Sequence, residues 1–228
     1  MAQFELNLDP FIQLGGIAGN SGFSLPGVVN IAQLSGVNGF CLTYDGVSNG
    51  VTEQLVEQLA SLAPKIRFNL KIAPKPDLVQ AVIDLPVQQA TFIGEGLFDN
   101  YKKDLGTFVA KLKGHKRLAS VHIPPDVNAL RQAYKIEADY VDLDVSGYGD
   151  STYAPNQASQ RENLAVLAKT AVKNQLGVAV SGNLHYQNVQ PLISIEEIEN
   201  FIVGEGVLSR AVFVGLETAI RDMRNLLL

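Results

Sequence analysis

Cysteine is almost missing from this 228-residue chain. Cys41 stands alone, so no internal disulfide can form, and a reducing cytoplasm is the expected compartment. Basic charge is scarce too: 18 Lys and Arg face 23 Asp and Glu, and no basic run offers a phosphodiester backbone a continuous counter-charge. Nucleic acid is not an expected partner. No stretch approaches the roughly 18 uninterrupted apolar residues of a membrane span, and Met1-Ala2-Gln3-Phe4-Glu5 lacks the basic start and apolar run of a signal peptide. No membrane partner is expected either. Without a Pro- or Ser-rich linker, residues 1–228 read as one domain. Histidine is limited to His115, His122 and His185, which restricts where proton transfer near neutrality can be placed.

What the chain does have is alternation. Hydrophobic residues make up 46% of it, in short segments separated by helical patterns, the order of a parallel α/β sheet. Strands are expected at Phe4 to Asp9, Gly39 to Thr43, Arg67 to Ile72, Gln89 to Ile93, Leu118 to Ile123, Asp139 to Asp144, Gly177 to Ser181 and Phe201 to Val203. Helices are expected at Pro26 to Ser35, Thr52 to Ala63, Pro76 to Leu85, Tyr101 to Lys113, Asp126 to Ile136, Ser159 to Gln175, Tyr186 to Leu192 and Ser209 to Leu227. Thr52 and Asp126 stand where N-caps belong, and Gly36, Gly114 and Gly177 where helices end. This pattern predicts a (β/α)8 barrel, although no repeat appears at the half-barrel period. The last two strands run into glycine turns, Ser181-Gly182-Asn183 and Gly204-Glu205-Gly206. Backbone N–H groups freed there, at the positive end of the next helix, favour an anion, and the last two βα loops of a barrel are a common phosphate site.

Strand alternation then sorts the polar residues. Phe68, Leu70 and Ile72 face the helices, which sends Asn69 and Lys71 into the barrel. The same rule turns Asp142 and Asp144 inward against Val141 and Leu143, and Asn7 and Asp9 inward against Leu6 and Leu8. Inward charge at the carboxyl ends of strands points to a site. The catalytic candidates are Lys71, Asp142 and Asp144. The substrate-binding candidates are Asn7, Asp9, Asn69, Ser181, Gly182, Asn183, Gly204, Glu205 and Gly206. Lys71 has three readings: a charge pair with Asp9 or Asp142, a contact to an anionic group, or a Schiff-base amine. Charge pairing ranks first, because nearby carboxylates stabilise the protonated, non-nucleophilic form. His122 reads first as a satisfied core histidine, His115 as solvated, and His185 as a loop residue that can face a ligand. Asp142, Asp144 and Asp150 lack a His or Glu at helical spacing, so no metal is assigned. Gly94-Glu95-Gly96 and Gly147-Tyr148-Gly149 lack the third glycine of a dinucleotide fingerprint, and no cofactor is expected. Cys41 reads as an inward core filler.

From Leu176 onward the chain resembles the pyridoxine 5′-phosphate synthase family. Leu184-His185-Tyr186-Gln187-Asn188-Val189 is similar to the family's Leu-Thr-Tyr-His-Asn-Val run. Val203-Gly204-Glu205-Gly206-Val207-Leu208-Ser209-Arg210-Ala211-Val212 is similar to its Ile-Gly-His-Ala-Ile-Ile-Gly-Arg-Ala-Val turn and helix, and Leu6-Asn7-Leu8-Asp9 to its Val-Asn-Ile-Asp start. The resemblance implies a barrel that condenses 1-deoxy-D-xylulose 5-phosphate with 3-amino-2-oxopropyl phosphate, a small phosphorylated metabolite as partner, and a homo-oligomer assembled through barrel helices.

The departures are chemical. Pro10 replaces a family His, and Gln13-Leu14-Gly15-Gly16 has no equivalent of an Arg. Where the family has a His- and Arg-rich loop after strand two, Thr43-Tyr44-Asp45-Gly46-Val47-Ser48-Asn49-Gly50 has neither residue. Asn69-Leu70-Lys71 puts an amine where Asn-Leu-Glu has a carboxylate, Gly182-Asn183 replaces Ala-Gly-His-Gly, and Gly94 to Asp99 is all that stands for a long fourth loop. Asp142 stands where the family has Glu. Repeated dehydration needs acids and bases titrating near neutrality. The expectation is therefore a synthase-like barrel that binds a phosphorylated metabolite without the orthodox reaction. The alternatives are a lyase- or aldolase-like enzyme using Lys71, or a non-catalytic regulatory paralogue.

Overall fold

The computed structural model describes residues 2–18, 22–46, 50–101, 103–150 and 154–227. Val47-Ser48-Asn49, part of the histidine-free loop after the second strand, lies outside them. The elements run β1 (Gln3–Asn7), α1 (Asp9–Ala18), α2 (Leu25–Ser35), β2 (Gly39–Thr43), α3 (Glu53–Leu62), β3 (Arg67–Ile72), α4 (Pro76–Asp84), β4 (Gln89–Phe92), α5 (Leu97–Asn100) and α6 (Leu105–Gly114). They continue with β5 (Leu118–Ile123), α7 (Val127–Lys135), β6 (Tyr140–Asp144), α8 (Ser146–Gly149), α9 (Ala154–Lys173), β7 (Gly177–Ser181), α10 (Gln190–Ile193), β8 (Asn200–Val203), α11 (Glu205–Val214) and α12 (Leu216–Leu227). The eight strands pair in parallel in chain order, and β8 returns to β1, closing a (β/α)8 barrel. No helix among the described residues is long and apolar enough to cross a membrane.

Alternation decides what fills each layer. Phe4, Leu6, Phe40, Leu42, Phe68, Leu70, Phe92, Val141, Leu143 and Phe201 point outward into the core between sheet and helices. Inside, among the described residues, Cys41, Ala179 and Ile202 form a separate apolar cluster. Much of the rest of the interior is polar and hydrogen-bonded, while Gln89 Oε1, Ser120 Oγ, Asp142 Oδ1 and Asn200 Oδ1 have no partner there. The fully buried Glu5 carboxylate accepts from Asn69 Nδ2 at 3.0 Å, from Asn200 Nδ2 at 2.9 Å, and from Arg67 at 3.1 Å. Thr91 Oγ1 donates to Asn69 Oδ1 at 3.0 Å. This network braces the barrel beneath the mouth.

The caps fall where expected at Thr52, whose side chain accepts from Leu55 N, at Asp126, which accepts from Ala129 N, and at Gly36, left-handed at φ 92°. Other boundaries move. Gly177 opens β7 rather than ending a helix, because an added Cβ would lie 2.2 Å from the Tyr140 ring. The expected helix from Tyr101 begins only at Leu105 as α6, with the short α5 before it, and Tyr186 to Leu192 shrinks to α10. The Ser209 to Leu227 helix starts four residues earlier and breaks at Gly215, whose φ of 81° suits glycine. Despite the Gly15-Gly16 pair, Asp9–Ala18 is helical.

Candidate site at the mouth of the barrel

At the carboxyl ends of the strands lies a cavity of about 240 Å³. Lys71 from β3, His122 from β5 and Ser181 from β7 meet in it, with Ile202 of β8 beside them. Around them stand Asn7, Asp144, Gly182, Asn183, Gly204 and Glu205. Eight of the twelve candidates thus line one cavity. Asp142 lies just beneath, fully buried, its Oδ2 accepting from Ser181 Oγ at 2.9 Å and held 2.9 Å from His122 Nδ1.

The other three candidates go elsewhere. Asn69 is committed to Glu5 and Thr91 in the brace below. Asp9 is not a strand residue but the first of α1, and its carboxylate accepts from Thr43 N at 2.7 Å and Thr43 Oγ1 at 2.8 Å, outside the cavity. Gly206 lies in the first turn of α11, where a Cβ would sit 2.5 Å from the Leu184 carbonyl oxygen. Its glycine serves close packing of the seventh loop on α11, so a bulky side chain there would disturb the fold itself.

Local geometry leaves donors at the rim. Gly182 has φ 112°, and a Cβ on it would meet Ser146 N at 2.6 Å and Asp144 Oδ1 at 2.7 Å. The N–H groups of Gly182, Asn183 and Leu184, and those of Glu205, Gly206 and Val207 that open α11, have no acceptor among the described residues. Helix N-termini leave such groups by construction.

The electrostatics centre on His122 and Asp142. Burial opposes charge on both, yet each holds the other ionised: His122 is pushed above its usual value by Asp142, and Asp142 is pulled below its usual value by His122, Lys71 and Ser181. With Nδ1 committed, Nε2 of His122 has no partner among the described residues. Lys71 departs from the leading expectation. No hydrogen bond or salt bridge joins its ammonium to Asp9, Asp142, Asp144 or any other described residue. Burial works against its charge, but Cys41, Asp142, Asp9 and Glu5 together raise its pKa above the ordinary lysine value. Burial also pushes the Cys41 thiol well up, so near neutrality the thiol is uncharged and the carboxylates carry the effect. Asp144 accepts from Ser146 N and Asp150 from Asn183 Nδ2, so Asp142, Asp144 and Asp150 are engaged by three different donors.

His122 is the functional candidate that the core-histidine reading set aside. The signal was present: alternation turns Ser120 and His122 inward, and β5 pairs with β6 so that His122 stands opposite Asp142. Glu5, two residues before Asn7, follows from the same rule. His115 is exposed, with Nδ1 2.9 Å from Lys111 O. His185 lies outside the Lys71 cavity, in a neighbouring one of about 630 Å³ that also holds Tyr186, Arg210 and Phe213.

Solved structures resemble this barrel throughout. KGPDC from Streptococcus mutans superposes with a TM-score of 0.67 at 15% identity, covering 100% of this chain and 97% of its own. Phosphoribosyl anthranilate isomerase from Thermus thermophilus gives 0.65 at 13% identity, covering 99% and 98%. Identities so low speak for the fold alone. In sequence, the pyridoxine 5′-phosphate synthase of Pelobacter propionicus is 24% identical over 237 residues, covering 100% of this chain and 99% of the relative. The family model for pyridoxal phosphate biosynthesis protein PdxJ matches residues 23–228, and the chain belongs to that family.

Proposed function

We propose that this chain binds a small phosphorylated metabolite at the barrel mouth and does not perform the condensation expected of a pyridoxine 5′-phosphate synthase. The observation that carries the binding reading is that one cavity combines rim residues bearing N–H groups without acceptors with an ammonium, Lys71, that closes no ion pair. Helix-start N–H groups and the dipole behind them favour a phosphate, and a cation nearby adds to the attraction. The loss of the parent reaction rests on Lys71 in place of a carboxylate, Gly182-Asn183 without histidine, and Tyr44 to Gly46 without histidine or arginine. Action in the cytoplasm, as a single-domain homo-oligomer without nucleic-acid or membrane partners, belongs to the same reading.

The His122–Asp142 pair supports a second reading, an enzyme of different chemistry, over an inert regulatory paralogue. A histidine oriented by a buried carboxylate and open at Nε2 is equipped to move a proton. Schiff-base chemistry on Lys71 is disfavoured, since the surrounding carboxylates hold the amine protonated.

Thermal shift with inorganic phosphate and a panel of sugar phosphates tests the binding. A ligand at 100 times its dissociation constant adds ~2.7 kcal/mol of stability. Stabilisation that is lost on mutating the rim supports the reading, and no shift with phosphate or any panel member overturns it.

A further inference from the structure

Two groups line the cavity with bonding capacity left unused. Lys71 brings an ammonium and His122 its Nε2, neither with a partner among the described residues. Beneath them Asp142 Oδ1 is fully buried and accepts nothing, while its other oxygen is taken by His122 and Ser181. The carboxylates around Lys71 explain its charge but do not touch it.

We propose that this floor is a second anion subsite, where Lys71 and His122 together hold an oxyanion of the same metabolite whose phosphate sits on the rim. The proposal rests on the phosphate reading above. The acceptors decide the rest of the ligand. Among the described residues Asp144 Oδ1, at the cavity wall, takes the Ser146 N–H and no other donor, so atoms beside the oxyanion must donate hydrogen bonds. Glu205 at the rim adds a second acceptor. A ligand with hydroxyls next to a carboxylate meets both demands. At about 240 Å³ the cavity is smaller than the ~300–1,000 Å³ of drug-sized sites, which selects a short molecule. The class is a short phosphorylated polyhydroxy acid.

Two probes that differ at one end separate the subsite from the rim. D-Erythritol 4-phosphate carries phosphate and hydroxyls, and 4-phospho-D-erythronate carries a carboxylate in addition. Isothermal titration is expected to show the erythronate binding at least tenfold tighter. Lys71→Met is expected to bring that ratio close to one, weakening the erythronate at least several-fold more than erythritol 4-phosphate. His122→Asn, expected to cut the ratio several-fold, carries the test if Lys71→Met does not fold. Equal affinities for the two probes in the unmodified protein, or variants that weaken both probes alike, overturn the second subsite and leave the phosphate reading standing. If neither probe nor inorganic phosphate binds, the phosphate reading falls first and takes the subsite with it.

Discussion

His122 Nδ1 lies 2.9 Å from Asp142 Oδ2, across adjacent strands in which the two residues stand directly opposite. Ser181 Oγ donates to that same oxygen, which fixes the carboxylate that orients the imidazole and leaves Nε2 without a partner among the described residues. A histidine paired with a buried carboxylate thus stands on β5 at the mouth of the barrel.

This pair predicts its own pH behaviour. By NMR, His122 should titrate above 6.5 because Asp142 outweighs burial, and in Asp142→Asn it should titrate below 6.5, where burial and Lys71 prevail. For stability, the raised histidine pKa contributes fully below ~6.5 and is lost as pH rises through the folded value. The lowered aspartate pKa contributes above ~4 and is lost as pH falls through the folded value. The stability advantage over His122→Asn should therefore peak between about pH 4 and 6.5. A flat difference from pH 4 to 9 contradicts the pairing.

Lys71→Met should cost less than ~3 kcal/mol of folding stability in chemical denaturation, because the carboxylates that raise its pKa act without contact. Deleting one partner of a buried ion pair costs ~3–5 kcal/mol, but no such pair closes on Lys71, and Asp142 keeps His122 and Ser181. A loss of ~3 kcal/mol or more would restore the structural role that the sequence favours.

Gly206→Val should destabilise the fold as well as the rim. Its Cβ would lie 2.5 Å from Leu184 O and 2.9 Å from His185 Cα, both backbone atoms that must shift. A cost of ~1–3 kcal/mol is expected, as for overpacking a tight contact. Unchanged stability would mean that the loop yields freely.

The strands were legible because each outward face is apolar: Gly39–Thr43, Arg67–Ile72, Leu118–Ile123 and Gly177–Ser181 coincide with expectation to the residue. Helix limits were less so. Gly204-Glu205-Gly206 reads as a loop by propensity, yet Glu205 and Gly206 are helical, and the glycine at 206 admits the close approach of Leu184 O, a contact no local pattern encodes. In the site, alternation gives the direction of a side chain but neither its reach nor its partner. Lys71 points inward as expected and bonds to no carboxylate, while Asp9, one residue past the strand, turns away to Thr43.

Purified protein should not form pyridoxine 5′-phosphate from 1-deoxy-D-xylulose 5-phosphate and 3-amino-2-oxopropyl phosphate, as followed by mass spectrometry. Each missing positioned acid or base typically costs 10²–10⁴-fold in rate. Turnover at the ~1–10³ s⁻¹ of ordinary enzymes would show that His122 and Asp142 replace the lost groups.

A crystal soaked in inorganic phosphate tests the central claim most directly. The account predicts a tetrahedral anion within hydrogen-bond distance of N–H groups from Gly182 to Leu184 and from Glu205 to Val207. An empty mouth at saturating phosphate, or an anion bound only elsewhere, would contradict it.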